Sequence, residues 1–351
     1  MAEGRPLNTT QGYSSLNQEE QKDPSPNLKN SRKYFINEGG QKLHVRNFLP
    51  KTPNQCQAVV IWLHGFCGHT NHPPAAFLGA EMAKRGVAWL AYDQIGHGYS
   101  EGDRALVEDH NFLVDDAIRF VDLTIGSRQG RGMHLGLSSE FLARFREIPF
   151  FIAGESMGGA IAVITCIELQ RQMNTTPMPN FAGALLVAPA IEGSLPPAPI
   201  VFLLEHCCLR CCPKSTVPDW IETVYKPDLV WIHEEDKKRV EADSFDKGGL
   251  GWGNNTRLRS GFSLIQMLKE CQSILDEVAF PFYIIHDPDD GIVPFTGSKS
   301  LQERSATALR DGVIQEIPGG LHDLVSNKTS YVAESFYRWI HTRISQFKRV
   351  S

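Results

Sequence analysis

"FFIAGESMGGAIAVITCIEL" (residues 150–169) begins as an apolar strand, breaks at glycines 154, 158 and 159 around Ser156, and continues as an apolar helix. A tight turn that happens to hold a serine would explain the glycines by itself. A strand, a G-x-S-x-G turn and a helix in direct succession carry more meaning. Such a turn holds serine in a strained backbone conformation at the end of the strand, and Gly154 and Gly158 leave space for neighbouring backbone. The helix N-terminus behind it favours developing negative charge. Ser156 is therefore the candidate nucleophile.

Working outward, apolar runs of similar length recur as "AVVIWLHG" (58–65), "VAWLAYD" (87–93), "AGALLVAP" (182–189) and "FPFYIIHD" (280–287). Strands this continuously apolar suit a mostly parallel sheet covered on both faces. Helical patterns lie between them, such as "PAAFLGAEMAKRG" (74–86) and "FLVDDAIRFVDLTI" (112–125). The alternation predicts an α/β fold with a doubly wound central sheet and helices on both faces. "KYFINEG" and "KLHVRNFLP" alternate more and predict an antiparallel hairpin at the sheet edge.

The strand logic stops after Pro189 and resumes at Phe280. Between them, prolines, a cysteine cluster and helical runs such as "PDWIETVYK" and "RSGFSLIQMLKECQSIL" predict a helical cap inserted before the strand that carries the acid. The expected organisation is a disordered polar tail over 1–32, core over 33–190, cap over 191–278 and core again over 279–351. The tail is almost free of aliphatic residues and cannot offset its own ordering entropy. "GSRQGRGMHLGLSS" (126–139) reads as a flexible loop before the Ser156 strand.

A serine hydroxyl is a weak nucleophile until a base takes its proton. In the order Ser…Asp…His, the base belongs on a late loop after the last strand. Of the 12 histidines only His322 and His341 follow residue 286, and His341 falls inside a helical pattern. "GVIQEIPGGLHDLV" puts His322 on a turn, so it is the candidate base. The acid should follow the strand before, where "HDPDDGIVP" offers Asp287, Asp289 and Asp290. Asp290 is favoured because "IVP" directly after it would pin the loop; Asp289 is the alternative, and Asp287 reads as a solvated turn residue. A tetrahedral intermediate needs two backbone N–H donors, expected from Met157 after the serine and from Phe66 after "HG" in "VVIWLHGFCGH". His64 is expected to brace that loop.

"HGFCGH", "YDQIGHGYSEG", "GESMGG", "HDPDDGIVP" and "PGGLHDL" together resemble the monoacylglycerol lipase and lysophospholipase group of α/β-hydrolases. The resemblance runs in order from about Tyr34 to the last helix. It implies an α/β-hydrolase fold and a nucleophile, acid and base on Ser156, Asp290 and His322, with Phe66 and Met157 as oxyanion donors. It further implies a structural turn at "GHG" (96–98), a lipid-ester substrate and no cofactor. The glutamate in "GES" is similar to plant-type members, some of which hydrolyse phenolic shikimate esters. Asp287 stands where glycine is usual, and the glycine-rich stretch before the serine is longer than usual.

Other features are weaker. A net charge of −5 gives no support to nucleic-acid binding. No run is apolar enough for a signal peptide or a membrane span, so the cytosol is the expected compartment, with peripheral membrane contact through the cap. His64, His69 and His72 invite a metal, but no second cluster has matching spacing. In "EHCCLRCCP" (205–213), Cys207, Cys208, Cys211 and Cys212 read most plainly as partly buried thiols in a lipid-facing lid. Zinc would require sharp wrapping, and S-acylation is a further reading. The rival functions are a small-ester or phenolic-ester esterase, an acyltransferase, and a non-catalytic binding module. An epoxide hydrolase or dehalogenase would need aspartate in place of Ser156.

Overall fold

The computed structural model describes residues 33–126, 134–172, 180–193, 197–218 and 227–350. The N-terminal tail, half of the glycine-rich loop (127–133) and nearly all of "PDWIETVYK" lie outside the described residues.

Among the described residues, eight strands form one sheet in the order β1-β2-β4-β3-β5-β6-β7-β8. β1 (Tyr34–Ile36) and β2 (Lys42–Phe48) make the expected antiparallel hairpin at one edge, and β2 also runs antiparallel to β4 (Val87–Tyr92). The remaining pairings are parallel, through β3 (Ala58–Leu63), β5 (Phe150–Glu155), β6 (Phe181–Val187), β7 (Phe282–His286) and β8 (Gly312–Glu316). Every residue of β3, β4 and β7 is buried, which is why these runs read as continuously apolar rather than alternating.

Two cores follow from the two faces. One holds Ile61, Leu90 and Ile152 against Phe120 of α2 (His110–Thr124), Phe145 of α3 (Ser139–Phe145) and most of α4 (Met157–Gln172). The other stacks Trp62 near Trp89, ring centres 5.3 Å apart, beside Leu78 and Met82 of α1 (Pro73–Lys84). The long C-terminal helix contributes Val332, Phe336, Ile340 and Ile344 to that second face, a four-residue spacing that lays one apolar stripe on the sheet. Helix α4 is buried on nearly all sides, so its sequence lacks a polar face.

After β6 the chain forms α5 (Ala198–Leu203), a wide π-type turn (Leu204–Cys208) and a further helical turn (Leu209–Cys211). α6 (Pro227–Val230), α7 (Glu234–Ala242) and α8 (Leu258–Ser273) follow. The end of this interval belongs physically to the core: Met267 and Cys271 of α8, with Leu275 and Val278, are packed into the first hydrophobic cluster. The cysteine cluster departs from expectation. Cys207, Cys211 and Cys212 are exposed and Cys208 only half-buried, because this run turns them away from the core.

Candidate active site

The glycines at the turn are steric necessities. A Cβ on Gly154 would lie 2.1 Å from the Gly158 carbonyl oxygen, and one on Gly158 would lie 2.1 Å from that of Leu63. With strand and helix this close, the connecting residue is forced into a left-handed conformation, and Ser156 has φ 52°. Its amide donates to Val187 O at 3.0 Å, which ties the turn to β6.

Ser156 and His322 meet across the chain, His322 Nε2 lying 3.0 Å from Ser156 Oγ. On the other side of the ring, His322 Nδ1 lies 2.7 Å from Asp290 Oδ2. A carboxylate only accepts, so Nδ1–H donates to Asp290 and Nε2 is left to accept the serine hydroxyl. The Asp290 side chain is buried, and its two oxygens face four donors. Oδ2 also takes His286 Nε2 at 3.1 Å, while Oδ1 accepts the amides of Ile292 at 2.7 Å and Val293 at 3.0 Å. Burial alone would raise this carboxyl's pKa, but the hydrogen bonds from His286 and His322 outweigh it and hold it well below the usual carboxylate range. His286 in turn is steadied by Ser298 Oγ, 2.7 Å from its Nδ1.

Of the three aspartates in the loop, Asp290 is the one against His322. Asp289 donates its amide to Asp287 Oδ1 at 3.1 Å. Asp287 corrects the expectation of a solvated turn residue: it is fully buried, and its Oδ2 accepts the Leu321 amide at 2.7 Å. It thereby clamps the residue before His322.

Met157 directly follows Ser156 as the first residue of α4, and Phe66 directly follows Gly65. A Cβ built on Gly65 would sit 3.3 Å from Ser156 Cβ. His64 is internal to the loop. Its Nε2 accepts the Gln94 amide at 3.0 Å, so its Nδ1–H donates to Gly65 O at 2.8 Å, and Gln94 Nε2 donates to His64 O at 2.7 Å. Burial lowers the His64 pKa to about 4, so it stays neutral at physiological pH. At "GHG", Gly96 and Gly98 both take positive φ, 75° and 50°, and a Cβ on Gly98 would strike the Asp93 carboxylate. The neighbouring histidine His69 is committed elsewhere, with Nε2 2.6 Å from Asp243 Oδ2.

The roles of three residues near the site escaped the sequence reading. Glu155 and Asp323 flank Ser156 and His322 in sequence. Burial first, and then the nearby Asp323 charge, push the Glu155 carboxyl well above its ordinary value. Asp323 accepts Trp231 Nε1–H at 2.7 Å, the Ser326 amide at 2.8 Å and the Ser326 hydroxyl at 2.6 Å. Trp231, beyond α6, is the third. The "HD" pair and the glutamate of "GES" were the available signals; nothing local marked the tryptophan.

The sheet order, the strand–serine–helix turn and the long-range serine–histidine–aspartate contact define an α/β-hydrolase. The chain belongs to the family described as serine aminopeptidase, S33 (Hydrolase_4), whose model matches residues 54–329. It is 23% identical over 320 residues to monoglyceride lipase of Mus musculus, covering 89% of this chain and 91% of that protein. It is equally 23% identical over 333 residues to caffeoylshikimate esterase of Arabidopsis thaliana, covering 94% and 90%. Among solved structures, a soluble variant of monoglyceride lipase from Saccharomyces cerevisiae superposes with a TM-score of 0.64 at 18% identity, over 89% of this chain and 94% of that one. A carboxyl esterase from Bacillus coagulans gives a TM-score of 0.64 at 16% identity, over 89% and 97%. The chain is a hydrolase of this fold, similar to monoglyceride lipases.

Proposed function

We propose that this hydrolase cleaves carboxylic esters of lipids, monoacylglycerols or lysophospholipids, through an acyl-enzyme on Ser156. The observation that carries the reading is the unbroken hydrogen-bond chain from Ser156 Oγ through His322 to Asp290. His322 takes the hydroxyl proton as Ser156 attacks the ester carbonyl, and then passes it to the leaving alcohol. Asp290 keeps the ring in the reactive tautomer and stabilises the imidazolium. The amides of Phe66 and Met157 receive the oxyanion, aided by the N-terminus of α4. Water activated by His322 then releases the acid. The scheme calls for no cofactor. The insertion over 191–278 serves as the cap, with α8 as its footing on the core, and brings peripheral membrane contact to a protein that works in the cytoplasm. Among the described residues, no helix is long and apolar enough to cross a membrane.

The lipid substrate is supported by the monoglyceride lipases among the relatives. A second reading, hydrolysis of small or phenolic esters, is favoured by the equal identity to the Arabidopsis caffeoylshikimate esterase and by the glutamate of "GES". A fluorophosphonate probe should label the wild type and not Ser156→Ala, which should lose about 10⁴-fold or more in kcat. An unlabelled but folded wild type sinks the esterase assignment in favour of a binding module. In a series of acyl glycerols and aryl esters, long chains should be preferred; short aryl esters ahead by orders of magnitude would reassign the substrate.

A further inference from the structure

Cys207, Cys208, Cys211 and Cys212 are free thiols that the hydrolytic scheme does not use. They form two i,i+4 pairs on one helical run, and the Cys212 amide donates to Cys208 O at 2.8 Å. Earlier in the run, Ile200 is 40% and Phe202 62% exposed, and Phe202 stacks on His206 with ring centres 4.1 Å apart. The run is anchored to the body of the protein. Leu258 donates to Ser215 O at 2.8 Å, Arg259 to Pro213 O at 3.0 Å and Val217 to Thr256 O at 2.8 Å, so the residues just after it are stitched to the start of α8.

Free cysteine is ordinarily among the most buried of residues and behaves as a small hydrophobe. A thiol cluster facing solvent beside an exposed isoleucine and phenylalanine is the opposite of core packing. Metal ligation is not the explanation the geometry offers: among the described residues, no three His, Cys, Asp or Glu side chains are grouped so as to hold an ion. We propose that the cluster is a site of S-acylation, which fixes this face of the molecule to a lipid bilayer.

The donor is a long-chain acyl-coenzyme A, presented by an acyltransferase. A cysteine thiolate attacks the thioester carbonyl, the new carbon–sulfur bond forms, and the old one breaks. Coenzyme A leaves as the thiolate and takes up the proton the cysteine gave; nothing is oxidised or reduced. A single chain of myristoyl length holds a protein to a membrane only marginally, whereas two acyl chains anchor it stably. A cluster permits that and a lone thiol does not. Ile200 and Phe202 enter the interface beside the chains, and exposed Arg210 adds a cation for anionic headgroups. The inference deepens the membrane contact proposed above and does not depend on the chemistry at Ser156.

The test uses the full chain expressed in eukaryotic cells fed an alkynyl palmitate. The wild type should carry a label removed by neutral hydroxylamine and sediment with membranes. A variant with Cys207→Ser, Cys208→Ser, Cys211→Ser and Cys212→Ser should lose at least tenfold of the label and move to the soluble fraction, with fluorophosphonate labelling of Ser156 unchanged as proof of folding. Wild type without hydroxylamine-labile label, or a quadruple variant that keeps it, overturns the proposal. Labelled wild type that stays in the soluble fraction overturns the membrane contact alone.

Discussion

Leu321 has φ 58°, a left-handed conformation that costs an L-residue about 1–2 kcal/mol. It directly precedes His322, so its backbone sets where the imidazole begins. What holds it there is the buried Asp287, whose carboxylate takes the Leu321 amide at 2.7 Å. Asp287→Ala leaves that amide without its acceptor and loosens the loop. The expected result is a 10- to 100-fold fall in kcat, on the order of what a 1 Å misplacement costs, with KM little changed. Asp287→Asn keeps an accepting oxygen and should restore most of the rate. Equal losses in both variants would mean that the charge matters, not the clamp. The sequence showed three aspartates and a glycine replaced, but not that one of them looks away from solvent and into the base loop.

At the scale of elements, the base loop is bound to α6 and the residues just after it, in the segment between β6 and β7. The amides of His322 and Asp323 donate to Leu229 O at 3.3 Å and Val230 O at 3.2 Å. Asn327 Nδ2 donates to Val230 O at 2.7 Å and Gly320 O at 2.8 Å, while its Oδ1 accepts the Ile232 amide at 3.0 Å. Trp231 completes the seam with its indole N–H on Asp323. Trp231→Phe keeps most of the ring and removes that donor from a carboxylate. A hydrogen bond to a charged group is worth about 1.5–3 kcal/mol, and thermal unfolding should show a loss in that range. If kcat falls together with stability while KM holds, the seam positions His322. A rise in KM alone would assign Trp231 to substrate contact instead. The G-x-S-x-G turn, by contrast, was legible locally, because both its glycines are required within a few residues of the serine.

For the whole molecule, the pH dependence of stability has contributions of opposite sign. Asp116 on α2 is buried beside Asn37, and burial raises its pKa from 3.8 to about 7. The folded chain therefore binds this proton more tightly than the unfolded chain, and stability falls as pH rises from about 4 to about 7. Asp290 works the other way: its depressed pKa favours the fold above the ordinary carboxylate pKa, and that advantage is lost in acid. Asp116→Asn removes the first contribution and can still accept from Asn37. Urea unfolding should find it on the order of 2–4 kcal/mol more stable than wild type at pH 8, from about 1.4 kcal/mol per pKa unit, and no different at pH 3.5. No gain at pH 8 would show that the buried carboxyl is already solvated.

The parallel sheet, the edge hairpin and the turn around Ser156 were legible in the residues alone. Those depend on local patterns: strands buried on both faces must be apolar throughout, and a strand meeting a helix this tightly leaves room only for glycine. The sequence also pointed to His322 and Asp290, since chain order after the last strands restricts where a base and an acid can sit. Tertiary structure alone decided the rest. Asp287 rather than a turn backbone holds Leu321, and Glu155 is buried near the charge of Asp323. Trp231 reaches the base loop from 92 residues away in the chain, and the cysteines of the run after β6 face outward. Each of these is a contact between distant segments or a choice of which side faces solvent. No periodicity encodes such choices, because they are settled only when the segment between β6 and β7 packs against the loops that follow the strands.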